Sequence, residues 1–198
     1  DLAGFDLPGV MVVKSLEDGR KIKKFLKNNR VKKTIIIGMG YIALEMCESL
    51  VGLNIAVEMV KPNPVFMPWL EPSMAQAVRE ELEAKWVGVY AGHTVERIET
   101  SGDGLKVICP DLTLTADMVL VGIGVNPCSR IAETAGLELG VKKSIAVDRN
   151  LRTSDINIYA AGDCADAYHV VTGKKTWVPL ALRANRSGWA VADNVCGK

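Results

Sequence analysis

The chain has 198 residues, with 24 basic and 23 acidic side chains and a formal net charge of +1. Hydrophobic residues make up 48% and charged residues 24%, which is ordinary for a folded chain and argues against a disordered one. The balanced charge argues against nucleic-acid binding, because phosphate neutralisation requires an excess of Lys and Arg. The longest apolar stretch is interrupted by glycines and is shorter than the ~20 residues of a membrane span, so no membrane partner is expected. The acidic first residue, Asp1, in place of a Met predicts a fragment of a longer protein without a signal peptide.

The five cysteines are scattered through the sequence, at positions 47, 109, 128, 164 and 196. They form no C-x-x-C pair, and both histidines stand apart from them, so no metal site is expected. An odd and scattered set is typical of reduced thiols rather than of a secreted disulfide framework, which predicts a cytoplasmic protein. We expect most of these cysteines to be buried packing residues.

The first part of the sequence predicts a βαβ unit. A short strand at 10–13 is followed by a helix that Ser15 caps. A second strand at 34–37 enters a glycine turn and a helix at 41–51, and a third strand follows at 55–60. A strand, a tight turn, a helix and a strand in this order predict a parallel sheet and an α/β fold.

The rest of the sequence predicts two different patterns. An amphipathic helix at 73–86 precedes short strands near 87–91, 94–99, 105–109 and 112–115, with a hairpin turn at 102–104. A buried strand at 118–121 then runs into a second glycine motif. Beyond Pro127 the sequence predicts a short helix, strands at 145–148 and 156–160, and a final helix at 180–195. These patterns predict two domains, at 1–127 and 128–198.

The strongest local motif is Gly38-Met39-Gly40-Tyr41-Ile42-Ala43, which fits G-x-G-x-x-G/A. It follows a predicted strand and opens a helix, as a dinucleotide-binding fingerprint requires. Gly38 would make the tight turn, and Gly40 would let the backbone and the helix N-terminus approach a pyrophosphate. Glu58, 20 residues after Gly38, is predicted at the end of the next strand, where it would hydrogen-bond the adenosine ribose. A glycine turn without a ligand is the alternative.

Three segments together resemble successive motifs of the FAD-dependent pyridine nucleotide-disulfide oxidoreductases. They are Gly-Met-Gly-Tyr-Ile-Ala-Leu-Glu at 38–45, Val-Gly-Ile-Gly-Val-Asn-Pro at 121–127 and Ile-Tyr-Ala-Ala-Gly-Asp at 158–163. The segment Trp-Val-Pro-Leu-Ala at 177–181 resembles the branch of coenzyme A-disulfide reductases, NADH oxidases and peroxidases. The resemblance implies a Rossmann-like NAD(P)-binding domain with a parallel sheet and a β-meander at 1–127. It implies the incomplete, C-terminal portion of a FAD-binding domain at 128–198.

The resemblance also implies a set of cofactor-binding residues. They are Gly38, Gly40, Tyr41, Ile42, Glu45, Glu58, Gly122, Gly124, Gly162, Asp163, Pro179, Leu180 and Ala181. The residues up to Gly124 would bind NAD(P)H, with Tyr41 near the nicotinamide. Asp163 would bind the ribityl chain of FAD, and the segment from Pro179 would begin a helix under the flavin ring, where N–H groups stabilise negative charge.

The intact protein implied by the resemblance is a homodimeric flavoenzyme. It would pass a hydride from NAD(P)H to FAD, and electrons on to a disulfide or thiol substrate or to oxygen. The family's FAD fingerprint and redox cysteine are absent from these 198 residues, so no catalytic residue is assigned and the isolated chain is expected to be inactive. Cys164, beside Asp163, is expected to be a packing residue. The alternative is a stand-alone nucleotide-binding module with a sensor or regulatory role.

The sequence features that bear on the choice of nucleotide disagree. Ala43 in the third fingerprint position is often met in NADP-binding sequences, and Lys61 could reach a 2′-phosphate. A carboxylate at Glu58 would instead repel that phosphate, and this repulsion carries a direct electrostatic energy. The sequence therefore predicts that NADH is preferred over NADPH.

Overall fold

The computed structural model describes residues 2–197, which form two compact units divided between Gly124 and Val125. This division lies three residues before the predicted one. The elements of the first unit are, in chain order, β1 (Val10–Val12), α1 (Leu16–Asn28), β2 (Lys33–Ile37), α2 (Tyr41–Gly52), β3 (Ala56–Lys61), α3 (Pro72–Ala84), β4 (Gly88–Ala91), β5 (Arg97–Ser101), β6 (Gly104–Ile108), β7 (Thr113–Ala116) and β8 (Met118–Val121). Those of the second unit are α4 (Arg130–Thr134), β9 (Ala167–Tyr168), β10 (Lys175–Thr176) and α5 (Ala181–Val195).

A five-stranded parallel sheet in the order β1-β8-β2-β3-β4 forms the centre of the first unit. The predicted parallel pairing of β2 with β3 across α2 is confirmed. The last strand of the first unit, β8, lies between β1 and β2. The segments that follow β2 and β8 therefore leave the sheet side by side. A parallel sheet presents the carboxyl ends of its strands at one edge, and this edge is where such folds bind ligands.

The side chains of β2 divide the core of the first unit between the two faces of the sheet. Ile36 faces the helices, in a cluster that contains residues of α1, α2 and α3. Ile35 and Ile37 face the other way, toward residues of the three-stranded sheet β5-β6-β7. Successive strand residues point to opposite faces, so a continuous Ile-Ile-Ile run fills both cores at once. The unit therefore has three layers.

The three-stranded sheet β5-β6-β7 is the predicted β-meander. Its first hairpin turns at Gly102 and Asp103, between the paired residues Ser101 and Gly104, as expected from the Gly-Asp-Gly sequence. Strand β5 starts at Arg97, three residues later than predicted, and ends directly at this turn. The capping box at Ser15 is also confirmed, with Asp18 as its partner.

The second unit has a small core of Ala132, Ile145, Val147, Ala160 and Ala165. The strands predicted at 145–148 and 156–160 do not form in the described chain, and only isolated bridges occur there. Side-chain hydrogen bonds turn the chain at both places. Asp148 accepts from the N–H groups of Asn150 and Arg152, and Asp155 accepts from the N–H of Asn157. In the part of the chain covered by residues 2–197, no helix has the length and apolar character to cross a membrane.

One charged pair ties the β9-β10 hairpin of the second unit to its core. Asp166 is 1% exposed, and its carboxylate accepts from the ammonium of Lys175 at 2.7 Å and from the N–H of Val147 at 3.1 Å. The same ammonium also donates to the carbonyl of Val147. A carboxylate so deeply buried must keep its partner, because an unpaired buried charge is strongly destabilising.

We expect Lys175→Met to lower the free energy of unfolding by about 3 kcal/mol, since it leaves the Asp166 carboxylate buried without a counter-charge. The exposed neighbour Lys174 gives a matched control, and Lys174→Met should change the free energy of unfolding by less than about 0.5 kcal/mol. Urea unfolding followed by circular dichroism measures both values. Equal stability of the two variants would contradict the role of the pair.

Candidate functional site

The carboxyl edge of the parallel sheet holds a turn that only glycine can form. Gly38 directly follows β2 and has a φ of +119°, in the left-handed region. A Cβ atom built on Gly38 would lie 2.2 Å from the carbonyl oxygen of Gly122, which directly follows β8. The N–H of Gly122 donates to the carbonyl of Ile37 at 2.8 Å, and that of Gly38 donates to the carbonyl of Val60 at 2.8 Å. The two predicted glycine motifs therefore meet backbone to backbone.

The N-terminus of α2 begins at this turn and is left open. Gly40 is its N-cap and provides no side-chain hydrogen bond, and the first turn carries no acidic residue. A Cβ built on Gly40 would meet no atom within 4 Å, so the backbone at the helix end is not crowded on this side. Uncapped N–H groups and the helix dipole together form a site for an anion such as a phosphate.

The first residues of α2 present side chains to solvent beside the turn. Tyr41 is 52% exposed, Ile42 is 41% exposed, and Glu45 lies one helical turn further on the exposed side. Ala43 is buried between them, and its Cβ would lie 3.5 Å from a Cβ built on Gly122. Gly122 carries no Cβ atom, so α2 lies close to its backbone here, which suits a small residue at the third fingerprint position.

Trp69 is a residue at this site that the sequence analysis did not single out. Its ring lies 5.9 Å from the ring of Tyr41, centroid to centroid, and 47% of the residue is exposed. It belongs to the proline-rich segment between β3 and α3. An aromatic residue within a long loop next to a ligand-binding edge is the signal that could have indicated it.

The predicted position of Glu58 is wrong. Glu58 is the third residue of β3, paired with Ile35 and Gly88, and not its last residue. Its carboxylate lies 2.9 Å from the ammonium of Lys33, which is the first residue of β2. That contact lacks hydrogen-bond geometry, so Oε2 is buried without a donor in the described chain, whereas Oε1 accepts from Tyr90 at 3.5 Å.

The position of Glu58 has a direct consequence for ligand binding. Three residues of strand separate it from the carboxyl edge, a distance of roughly 10 Å. Its partner Lys33 draws the carboxylate toward the opposite edge of the sheet. The residue that occupies the strand end, beside the glycine turn, is Lys61.

Gly124, the last residue of the first unit, also has a left-handed backbone, with a φ of +102°. A Cβ built on it would meet no atom within 4 Å, unlike one built on Gly38. In this structure a glycine is therefore favoured at position 124 by its backbone conformation and not by a close neighbour.

In the second unit, Gly162 and Asp163 form a tight turn that α5 holds from one side. The guanidinium of Arg183 donates to the carbonyls of Gly162 at 2.6 Å, Ala165 at 3.0 Å and Asp166 at 2.5 Å. Ser187 accepts from the N–H of Gly162 at 3.0 Å. The turn is thereby fixed by charge-assisted hydrogen bonds, and the sequence analysis did not anticipate Arg183 in this role.

The final helix, α5, begins at the segment predicted for its start, Pro179 to Ala181. Leu180 is the N-cap of α5, without a side-chain cap, and the helix begins at Ala181 directly after Pro179. Asp163 is exposed, and within residues 2–197 its carboxylate has no hydrogen-bond or ion-pair partner. A free carboxylate and an uncapped helix end are both available to a ligand of the second unit.

Only two of the five cysteines are buried, Cys47 and Cys109, which corrects the expectation that most of them are. Burial raises the pKa of the Cys47 thiol to about 11, so this thiol stays protonated at neutral pH. Cys164 is half-buried, packs against the small core of the second unit and donates to the carbonyl of Ala161. Its surroundings are those of a packing residue, as expected.

The chain is similar to known proteins over almost its whole length. The family model described as pyridine nucleotide-disulphide oxidoreductase matches residues 2–188. The chain belongs to this family. The resemblance found in the sequence is confirmed, and the family's members that resemble this chain are NAD(P)H-dependent oxidoreductases.

Two relatives from the family show how much of such a protein the chain represents. An NADH oxidase of Methanocaldococcus jannaschii is 35% identical over 99% of this chain and 44% of its own length. An NAD(P)H sulfur oxidoreductase (CoA-dependent) of Pyrococcus furiosus is 31% identical over 100% of this chain and 45% of its own length. The chain therefore spans less than half the length of these members of the family.

Solved structures of the family show the same fold. An NAD-dependent persulfide reductase from A. fulgidus is 34% identical, with a TM-score of 0.91 over 100% of this chain and 37% of its own. A FAD-dependent pyridine nucleotide-disulphide oxidoreductase from Desulfovibrio vulgaris is 36% identical, with a TM-score of 0.83 over 99% of this chain and 50% of its own. The predicted fold class is confirmed.

The two fingerprint glycines should respond differently to replacement by alanine. Gly38→Ala should lower the free energy of unfolding by at least about 2 kcal/mol, because it combines a left-handed φ with a clash against Gly122. Gly40→Ala should change it by about 1 kcal/mol or less, because its Cβ enters open space and alanine is only a poorer N-cap than glycine. Thermal unfolding of the two variants compares these effects, and a Gly40→Ala variant as unstable as Gly38→Ala would contradict this geometry.

Proposed function

We propose that this chain is the pyridine-nucleotide-binding part of a flavoprotein oxidoreductase. The observation that supports it most strongly is the turn where Gly38 and Gly122 meet, in front of the uncapped end of α2. This arrangement lets the backbone approach a pyrophosphate closely while offering it N–H donors. The dinucleotide would lie along the carboxyl edge of the sheet, where the strand order reverses around β2 and β8.

The predicted residues can be given roles that suit their positions in the first unit. Gly40 leaves room for the pyrophosphate, and Gly122 and Gly124 allow the chain to approach the nicotinamide ribose. Tyr41 and Glu45 lie on the exposed side of α2 beside the turn. Tyr41 would shield the nicotinamide, supported by Trp69 at 5.9 Å. The protein's contribution is to hold and orient the nucleotide, because the hydride chemistry belongs to the cofactors.

The residues of the second unit fit part of a FAD molecule. Asp163 has a carboxylate free to accept from ribityl hydroxyls, and Arg183 fixes the turn that carries it. The open N-terminus of α5, after Pro179, Leu180 and Ala181, would stabilise negative charge on the flavin. FAD, when bound, supplies the acceptor for the hydride. The Asp163 turn and the open end of α5 favour a part of a flavoenzyme over a stand-alone nucleotide-binding module, because such a module would not need these two features.

The larger proposal concerns the whole protein. It would be a homodimer that passes electrons on to a disulfide or thiol substrate or to oxygen, at a redox cysteine that these residues do not include.

The preference for NADH over NADPH was expected from a carboxylate at the strand end. Glu58 lies roughly 10 Å from that position. The expectation therefore loses its physical basis.

The isolated chain should bind NAD(P)H without being an active flavoenzyme. We expect one nucleotide per chain by isothermal titration calorimetry, and Gly40→Ala should weaken this binding by about tenfold or more, since the added methyl group blocks close approach of the pyrophosphate. The absence of nucleotide binding, or equal affinities in the two proteins, would refute the proposed site.

The same chain should purify colourless and lack NAD(P)H-dependent reductase activity, because it has one dinucleotide fingerprint and that fingerprint serves NAD(P)H. The pyrophosphate of FAD would then have no binding site. The absorbance spectrum of the purified chain measures this directly. A stoichiometric flavin absorbance band would contradict it.

A further inference from the structure

The end of β3 is the position next to the glycine turn from which a side chain can reach the adenosine ribose. The carbonyl of Val60 accepts from the N–H of Gly38 at 2.8 Å, so the following residue, Lys61, stands directly beside the turn. In dinucleotide-binding folds the residue at this strand end distinguishes the nucleotides, because it faces the 2′ position of the ribose. An acid there accepts hydrogen bonds from the 2′-hydroxyl, and a cation there accommodates a 2′-phosphate.

The chain that leaves the end of β3 carries no carboxylate next to Lys61. The segment from Met59 to Leu70 has neither Asp nor Glu. The nearest acid along the strand, Glu58, is held by Lys33 and Tyr90 within the sheet. The sign of the charge at the strand end is therefore positive.

Lys61 is also held in place. It is 8% exposed, and its ammonium donates to the carbonyl of Val65 at 2.8 Å, while the side chain of Asn63 accepts from the N–H of Val65 at 2.9 Å. Burial lowers the pKa of the Lys61 ammonium, since its charge is poorly solvated there. A carbonyl partner leaves the positive charge uncompensated, and within residues 2–197 Lys61 forms no ion pair.

A fixed lysine has two more N–H groups to donate once one is used by Val65. The 2′-phosphate of NADPH is a dianion at neutral pH, and NADH has a hydroxyl in its place. Charge-assisted hydrogen bonds to a phosphate are about twice as strong as neutral ones. A preorganised ammonium loses little rotamer entropy when it forms them, which favours the phosphorylated nucleotide further.

We propose that Lys61 binds the adenosine 2′-phosphate, so that the first unit takes NADPH in preference to NADH. This inference rests on the proposed function, because it names the nucleotide of the same site. It assigns to Lys61 the discrimination that the sequence suggested for Glu58. The expected advantage of NADPH is on the order of tenfold in Kd, as one charge-assisted contact provides.

Calorimetric titration of the 198-residue chain with NADH and with NADPH tests the inference. The unmodified chain should bind NADPH about tenfold more tightly. Lys61→Met should remove this advantage by weakening NADPH binding while leaving the Kd for NADH unchanged. Lys61→Arg should retain the preference for NADPH, and Lys61→Glu should reverse it. Thermal unfolding of each variant, compared with the unmodified chain, verifies that it is folded.

Two control variants separate this role from general effects of charge. Lys32→Met removes one positive charge just before the amino end of β2, at the opposite edge of the sheet, and should leave both Kd values unchanged. Glu58→Gln should leave the ratio of the two Kd values unchanged, because its carboxylate does not face the ribose. Added salt should weaken NADPH binding more than NADH binding, since an ion pair is screened.

The outcomes distinguish this inference from the proposed function. If neither nucleotide binds to the folded chain, the proposed function fails. If NADH binds as tightly as NADPH or more tightly, or if Lys61→Met weakens both equally, the role of Lys61 is overturned while the proposed function stands. A change in the ratio caused by Glu58→Gln would return the discrimination to Glu58.

Discussion

The contact between the backbones of Gly38 and Gly122 is the constraint on which the rest of the first unit depends. Strands β2 and β8 are neighbours in the sheet, so the segments that follow them cross the same edge side by side. They run so close together that a Cβ atom on Gly38 would lie 2.2 Å from the carbonyl oxygen of Gly122. Only a glycine in the left-handed region satisfies this. The turn leads into α2, which packs on one face of the sheet with its N-terminus uncapped, and the same edge receives Tyr41, Trp69 and Lys61. The candidate site follows from this one close approach.

The layers around the sheet make that edge rigid. The run of isoleucines in β2 fills two cores, one under the helices and one under the β-meander, and both are closed by buried side chains. A close-packed interior on both faces leaves the strands little freedom to shift in register. A site built at the ends of such strands is therefore preorganised, which suits the nucleotide-binding role proposed for this unit. In the second unit, Arg183 and the pair of Asp166 and Lys175 give a small core the same kind of support through charge-assisted hydrogen bonds.

The comparison of Glu58 with Lys61 shows how a motif spacing can predict a wrong position within a strand. The fingerprint spacing of about 20 residues is an average, and the helix and the turn between the two strands set the actual number. Here the strand continues for three residues beyond Glu58, so the acid lies within the sheet, paired with Lys33. An error of this size is small along the sequence. Along a strand it amounts to roughly 10 Å, which is the distance from the carboxyl edge of the sheet to an ion pair within it.

Much of this protein is determined by its sequence alone. The periods of hydrophobic residues, the glycine turns and the Ser15 capping box are local features, so the helices, the parallel sheet and the meander could be predicted from them. The family was indicated separately, by the resemblance of three short motifs. The tertiary structure alone decided what depends on contacts distant in the chain. It placed β8 between β1 and β2, moved the strand end from Glu58 to Lys61, brought Trp69 against Tyr41, and left single bridges where strands were predicted in the second unit. Register, strand order and side-chain partners arise from packing between segments, and no local pattern contains them.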